Sequence, residues 1–312
     1  LGIFTSSIPS ILLYVIAPNK FYYGNLVYIR LNAIYQGQQK FNNMLTLASK
    51  FTYFISEELH SPITIALYIS WVFSLIFGIS LIKDKDYNHA FKLLFTCILA
   101  AAMFATAFAP TPLWPKYFIA PLPFLAICLL FVVKIIHSKI AASSTHKSIV
   151  MALLTLLIFS SQYNSTSRKL QLLTNPSSWV PIQMHALGQE IKSSIGSGRV
   201  LTLGPIFPLE GGLDAYEIFA TGPFAWRTSL NLSKGYRARY GVISPYELES
   251  YLSKNPPKAI LTGIESNSNG FDQPDPTSLE SPLIKYAHEN NYRPINILYS
   301  RPTNTKLVIW MK

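Results

Sequence analysis

Residues 62–82 read PITIALYISWVFSLIFGISLI, and residues 90–109 read AFKLLFTCILAAAMFATAFA. The first stretch carries no charge and the second a single lysine. A helix needs about 20 mostly apolar residues to cross the hydrocarbon core of a bilayer, so both stretches predict membrane helices. Three further apolar tracts flank them, at residues 1–17, 117–136 and 148–161. The pattern predicts an α-helical polytopic membrane domain of about five transmembrane helices over residues 1–163. The composition of residues 164–312 predicts a small soluble α/β domain after it.

Charge placement gives an orientation. Lys83, Lys85 and Lys92 flank the loop between the second and third tracts, and Lys134, Lys139 and Lys147 flank the loop between the fourth and fifth. Basic loops stay on the cytoplasmic side. Alternation then places residues 19–61, 110–116 and everything after Asn164 on the outer side, which in a bacterial inner membrane is the periplasm. Segment 19–61 is rich in Tyr and Phe, the residues of a membrane–water interface. It predicts surface helices near residues 24–35 and 39–56.

Composition agrees with this reading. Of the 312 residues only 13% are charged, against about 25% in soluble domains, and half are hydrophobic. Mean hydropathy is +0.27. The formal net charge of +11 fits basic cytoplasmic loops or a phosphate-bearing partner. The cations are scattered, with no basic run on a solvated helix, which argues against nucleic acid. Cys97 and Cys128 both lie in apolar tracts and predict no disulfide framework, and no metal-ligand spacing occurs. The uncharged opening at Leu1 lacks the Met and basic region of a signal peptide, which predicts a chain cut from a longer protein.

Beyond residue 164, strand and helix signals alternate. Helices are predicted at 181–195, closed by Gly196, at 245–254 and at 282–290. Ser244 and Glu247 form the sequence signature of a capping box, with Pro245 at the first helical position. Strands are predicted at 199–203 and 258–262, and residues 295–299 and 306–311 as an antiparallel pair.

Four groups of residues could carry chemistry. In the outer loop PTPLWPKY (residues 110–117), prolines fix the backbone and place Lys116 at headgroup level. There its ammonium could meet a phosphate with Tyr117 adding a hydrogen bond, or it could snorkel beside aromatic anchors. In residues 199–227, Gly211 and Gly212 lie in a Gly/Pro-rich turn. Glu210 and Arg227 either flank a polar ligand there or pair with each other. The run Glu57-Glu58-Leu59-His60 offers a base and an orienting group, or marks where the chain enters the membrane. Lys234, Arg237 and Arg239, interleaved with Tyr236 and Tyr240, form a basic face that is solvated or turned to anionic lipid.

The segments PLWPKYFIAPLPF (residues 112–124) and 204–227, with their LEGGL and ATGPF elements, resemble the C-terminal half of a bacterial polytopic glycosyltransferase. The family is the dolichyl-phosphate-mannose protein mannosyltransferase-like superfamily. The resemblance implies transfer of a sugar from a polyprenyl-phosphate donor to a glycan, lipid or protein acceptor on the outer face. It places Lys116 and Tyr117 near the donor phosphate. It also implies that the catalytic acidic residue lies in a first extracytoplasmic loop upstream of residue 1, so no catalytic residue and no metal ligand is carried over. No cofactor is expected within these residues, a divalent metal being left to the full-length protein, and the chain alone is expected to be inactive. The rival readings are a transporter or flippase subunit, against which the acid- and base-free helix interiors count, and a non-catalytic membrane-anchored assembly protein.

Overall fold

The computed structural model of the chain describes residues 2–38, 46–139, 173–265, 278–300 and 305–312. The chain divides into two compact units, Gln36–Gln171 and a second built from Leu1–Tyr35 with Leu172–Lys312. Its N-terminal helices are α1 (Gly2–Ile16), α2 (Pro18–Tyr22) and α3 (Tyr28–Gln38), with a π-helical turn, Tyr23–Val27, between the last two.

The unit Gln36–Gln171 holds α4 (Leu47–Tyr53), α5 (Pro62–Lys83), α6 (Tyr87–Ala107) and α7 (Leu122–Lys139). Helix α5 starts with Pro62 at its first position, where a missing N–H costs nothing. Asp86 caps α6 by accepting from the His89 N–H. With 22 and 21 residues, α5 and α6 are each about 32 Å long and apolar enough to cross a membrane. They are not buried core helices, since Phe73, Ile76 and Ile98 are 57%, 61% and 62% exposed.

Small residues of α5 let its neighbours approach closely, and Leu93, Cys97 and Cys128 are buried with Trp71, Leu75 and Phe131. Ser70, Ser74 and Gly78 are the buried residues of α5 and recur every fourth position, on one face. A Cβ on Gly78 would lie 2.7 Å from the Leu94 side chain. Ser74 donates to the Cys128 carbonyl at 3.2 Å, and the Trp71 indole N–H donates to the Cys97 carbonyl at 3.1 Å. Such stripes let helices approach where no hydrophobic effect drives them together. Cys97 and Cys128 are free and buried, their sulfurs 3.7 Å apart.

Two helices of spanning length stand among the described residues, against the five expected from sequence. Tract 117–136 is broken at its start. Residues Pro115–Ile119 form a 3-10 turn, and Pro121 directly precedes α7, an 18-residue helix whose second position is Pro123. Helix α1 has 15 residues, none of them charged. Tract 148–161 lies outside the described residues.

The α/β part of the other unit is a five-stranded sheet of order β2-β1-β3-β5-β4. Strands β1 (Arg199–Thr202), β2 (Asp214–Ala215) and β3 (Ala259–Thr262) are parallel, and β4 (Arg293–Ser300) and β5 (Thr305–Met311) add antiparallel at one side. Period-2 alternation sends Leu201, Ile260, Val308 and Trp310 to one face and Val200, Leu261, Leu307 and Ile309 to the other. Both faces are covered. Helix α8 (Val180–Ile195) lays Met184, Leu187, Ile191 and Ile195 on the second face. The first takes Leu283, Ile284 and Ala287 of the helix Ser281–Glu289, with Leu248 and Leu252. The expected helices and strands of this region are present to within a few residues. The capping box of Ser244 and Glu247 is formed, though on a 3-10 turn, Pro245–Glu247, that leads into the short helix Leu248–Leu252.

Backbone-to-backbone contact fixes two places. A Cβ on Gly188 of α8 would sit 2.6 Å from the Gly211 nitrogen, and one on Gly211 2.2 Å from the Gly188 oxygen. At Gly263, φ is +105° and a Cβ would lie 2.0 Å from the Lys306 carbonyl. Glu280, fully buried, ties the same turn by accepting from the N–H groups of Gly263 at 2.7 Å and Ile264 at 3.2 Å. Burial pushes its carboxyl up to about 7, against the pull of those backbone donors. A carboxyl raised in the folded state favours folding below its unfolded value of about 4.3, and that contribution is lost as pH rises through about 7. Native-state hydrogen exchange of the β3 amides, corrected for intrinsic rates, should therefore show protection falling between pH 5 and pH 8, by up to about 3 kcal/mol. Glu280→Gln should flatten this dependence and lower protection throughout, because its amide would set N–H against N–H. A wild-type profile rising with pH would contradict the assignment.

Candidate functional site

In the unit Gln36–Gln171 the candidate site is the turn that follows α6. Leu113 and Phe118 are buried with Phe54, Ala107 and Phe108, and Tyr117 packs half-buried against this cluster. The rings meet edge to face or tilted: Phe54–Phe118 centroids are 5.0 Å apart and Phe108–Phe118 5.3 Å. Such pairs fix geometry as well as burying area. Between Leu113 and Phe118 the chain loops outward, leaving Trp114 and Lys116 exposed. The structure thus brings Lys116 and Tyr117 together, the ammonium 5.7 Å from the ring centroid. Lys116 has no ion-pair partner among the described residues.

Sequence reasoning missed Lys50. It is buried on α4, at 6% exposure. Its ammonium donates to the carbonyls of Phe108 and Pro110 at 2.7 Å each, with Ala109 at 3.5 Å. These are the carbonyls that leave the C-terminus of α6, where partners run out and the helix dipole favours a cation. Lys50 therefore fixes the start of the turn that presents Lys116. Burial pulls its pKa below the usual lysine value. The available signal was a lone lysine among Phe51, Tyr53 and Phe54, which composition reads as an interface anchor. Glu57, Glu58 and His60 do not assemble: among the described residues no hydrogen bond or ion pair joins His60 to either carboxylate. Burial, then the neighbouring Glu57, pushes the Glu58 carboxyl up.

In the other unit, Glu210 and Arg227 go to separate partners. Glu210 ends the helix Ile206–Glu210 and lies 3.3 Å from the His185 ring on α8. Arg227, on the helix Pro223–Thr228, donates from Nη2 to the Tyr28 hydroxyl and to Asn32 Oδ1, both at 2.7 Å. Its guanidinium also lies over the rings of Phe224 at 4.9 Å and Tyr35 at 5.5 Å. Burial pushes the Glu265 carboxyl up while the Arg227 charge opposes it. Nε of Arg227 is buried without a partner among the described residues.

The basic face of residues 234–240 is only partly free. Arg237 is held by Glu247 through Nε at 2.8 Å and Nη2 at 3.0 Å, and also donates to the Leu232 carbonyl. That bidentate contact, with the Ser244 backbone, holds the Glu247 carboxyl down at about 2. Arg239 donates to Asn19 at 3.1 Å, and Lys234 is exposed.

Comparison with protein-family models, curated proteins and solved structures gives no match. No group of three or more metal-ligating side chains occurs among the described residues.

Replacing Lys50 by Met would remove the donor to the carbonyls of residues 108–110 while keeping the apolar stem. The expected outcome is a loss of about 2–4 kcal/mol, read as a lower thermal midpoint of the chain in detergent. An unchanged midpoint would show that the carbonyls find other donors.

Proposed function

We propose that the chain belongs to a membrane glycosyltransferase. It would move a sugar from a polyprenyl-phosphate donor to a glycan, lipid or protein acceptor on the outer face of a bacterial inner membrane. In this reading tracts 1–17, 117–136 and 148–161 are also membrane-embedded and the α/β domain is periplasmic. The observation that carries the reading is the placement of Lys116. Helix α6 has spanning length; Lys83, Lys85 and Lys92 cluster at one of its ends, and Lys116 stands on a packed turn beyond the other.

The chemistry follows from that placement. A polyprenyl-phosphate sugar keeps its chain in lipid and its phosphate at the interface. When the glycosidic bond breaks, the bonding pair stays with the phosphate oxygen and negative charge grows there. An ammonium held at that point stabilises the transition state more than the ground state. Tyr117, its ring 5.7 Å from the ammonium, would offer its hydroxyl to the same phosphate. No residue of this chain is assigned as the base that takes the acceptor proton.

Membranes containing the full-length protein, supplied with radiolabelled polyprenyl-phosphate sugar, test the reading. Lys116→Ala should lower release of label from the lipid by about a hundredfold, as loss of one charge-stabilising donor does, at unchanged protein level. Transfer at the wild-type rate in the variant would reduce Lys116 to an interface anchor. No transfer by the wild type with any of several sugars would favour the transporter or anchoring readings.

A further inference from the structure

A cavity of about 640 Å³ lies within the unit that combines the N-terminal helices with the α/β domain. This is the size range of small-molecule sites. Its wall is mainly apolar and aromatic, from Tyr23, Tyr28, Phe224, Val242 and Tyr251. Charge is confined to one pair, Lys20 and Glu217, 2.7 Å apart. Both are well exposed, at 64% and 84%, and an exposed pair of this kind contributes little and opens readily.

The surroundings of the cavity point to its ligand. Lys20 stands on α2, four residues past the end of α1, with the non-helical Ala17 between the two helices. In α1, Ile11, Leu12, Leu13, Tyr14, Val15 and Ile16 are all more than half exposed. Six successive helical residues cover every face, so this end of α1 is apolar all round, as in a helix set in lipid. The cavity therefore combines an apolar interior, an exposed ion pair whose lysine can be released at its edge, and a neighbouring apolar helix. We propose that it is a binding site for a phosphate-bearing amphiphile. The apolar chain lies between Tyr23, Tyr28 and Phe224, and the phosphate takes the place of Glu217 at Lys20. The Arg227 contact to the Tyr28 hydroxyl holds that ring in the wall. Lipid occupancy is read without any transfer reaction, so this site stands or falls apart from the transferase reading.

Gly24 gives a direct test. It lines the cavity, and a Cβ built on it meets nothing within 4 Å, so Gly24→Trp fills the space without disturbing the backbone. Lipid adducts of the full-length protein in detergent would be counted by native mass spectrometry. The probes are phosphatidylglycerol, farnesyl phosphate, dioleoylglycerol and inorganic phosphate. Expected is one saturable adduct of each phosphate lipid on the wild type, lost in Gly24→Trp. In Lys20→Glu it should weaken about tenfold, with dioleoylglycerol binding unchanged. Tighter binding of phosphatidylglycerol marks a membrane phospholipid as the source, and tighter binding of farnesyl phosphate an isoprenoid one. Ala220→Trp, on another lining segment, replaces Gly24→Trp if that variant melts early. Adducts that survive in a filled variant with the wild-type thermal midpoint overturn the proposal. So does inorganic phosphate binding as tightly as the lipids.

Discussion

An apolar helix exposed along its length has no stable place in water, and the structure of unit Gln36–Gln171 rests on that constraint. Helices α5 and α6 satisfy their backbone polar groups internally. Their outward side chains, Phe73, Ile76 and Ile98 among them, call for a hydrocarbon surrounding. Hydrophobic burial cannot then hold the helices to each other. The contact comes from Ser70, Ser74 and Gly78, whose small side chains let the helices close up, from the buried cluster of Leu93, Cys97 and Cys128, and from the few polar groups that reach a neighbouring carbonyl. A larger residue at Gly78 would meet Leu94 at once.

The ends of these helices are where charge enters, and the two ends differ. Lys83, Lys85 and Lys92 are solvent-facing cations of the kind that hold a loop on the cytoplasmic side. At the other end Lys50 is buried and used up on the carbonyls of residues 108–110, while Lys116 is exposed. One lysine builds the turn and the other is presented by it. Against this, Arg237 is a cation neutralised by its carboxylate partner and largely withdrawn from the surface. Formal charge counts of the basic segment 234–240 thus overstate what a ligand or a bilayer would meet.

Which features could be read from sequence depends on their range. Helices α5 and α6 were legible because length and apolarity are properties of one continuous segment. Gly196, the Ser244–Glu247 box and the alternation of residues 306–311 were legible for the same reason. In tract 117–136, Pro121 and Pro123 set where α7 begins, a local feature that an apolar sum does not register. The partners of Lys50, Arg227 and Glu280 lie 58, 195 and 17 residues away, and no local pattern encodes them. Gly212 has the positive φ of +71° that a Gly-rich turn suggests, whereas Gly211, at an ordinary φ of -81°, is glycine for a reason invisible in sequence: the backbone of Gly188 passes against it.

The proposed function requires that the hairpin α5–α6 cross the membrane with its lysine-rich end inside and the Lys116 turn outside. Single cysteines in a background lacking Cys97 and Cys128 measure this directly. Lys116→Cys and Lys85→Cys would each be exposed to a membrane-impermeant maleimide in intact cells and again after lysis. The account predicts labelling of position 116 in intact cells, and of position 85 only after lysis. Labelling of position 85 in intact cells, with position 116 protected, would contradict it.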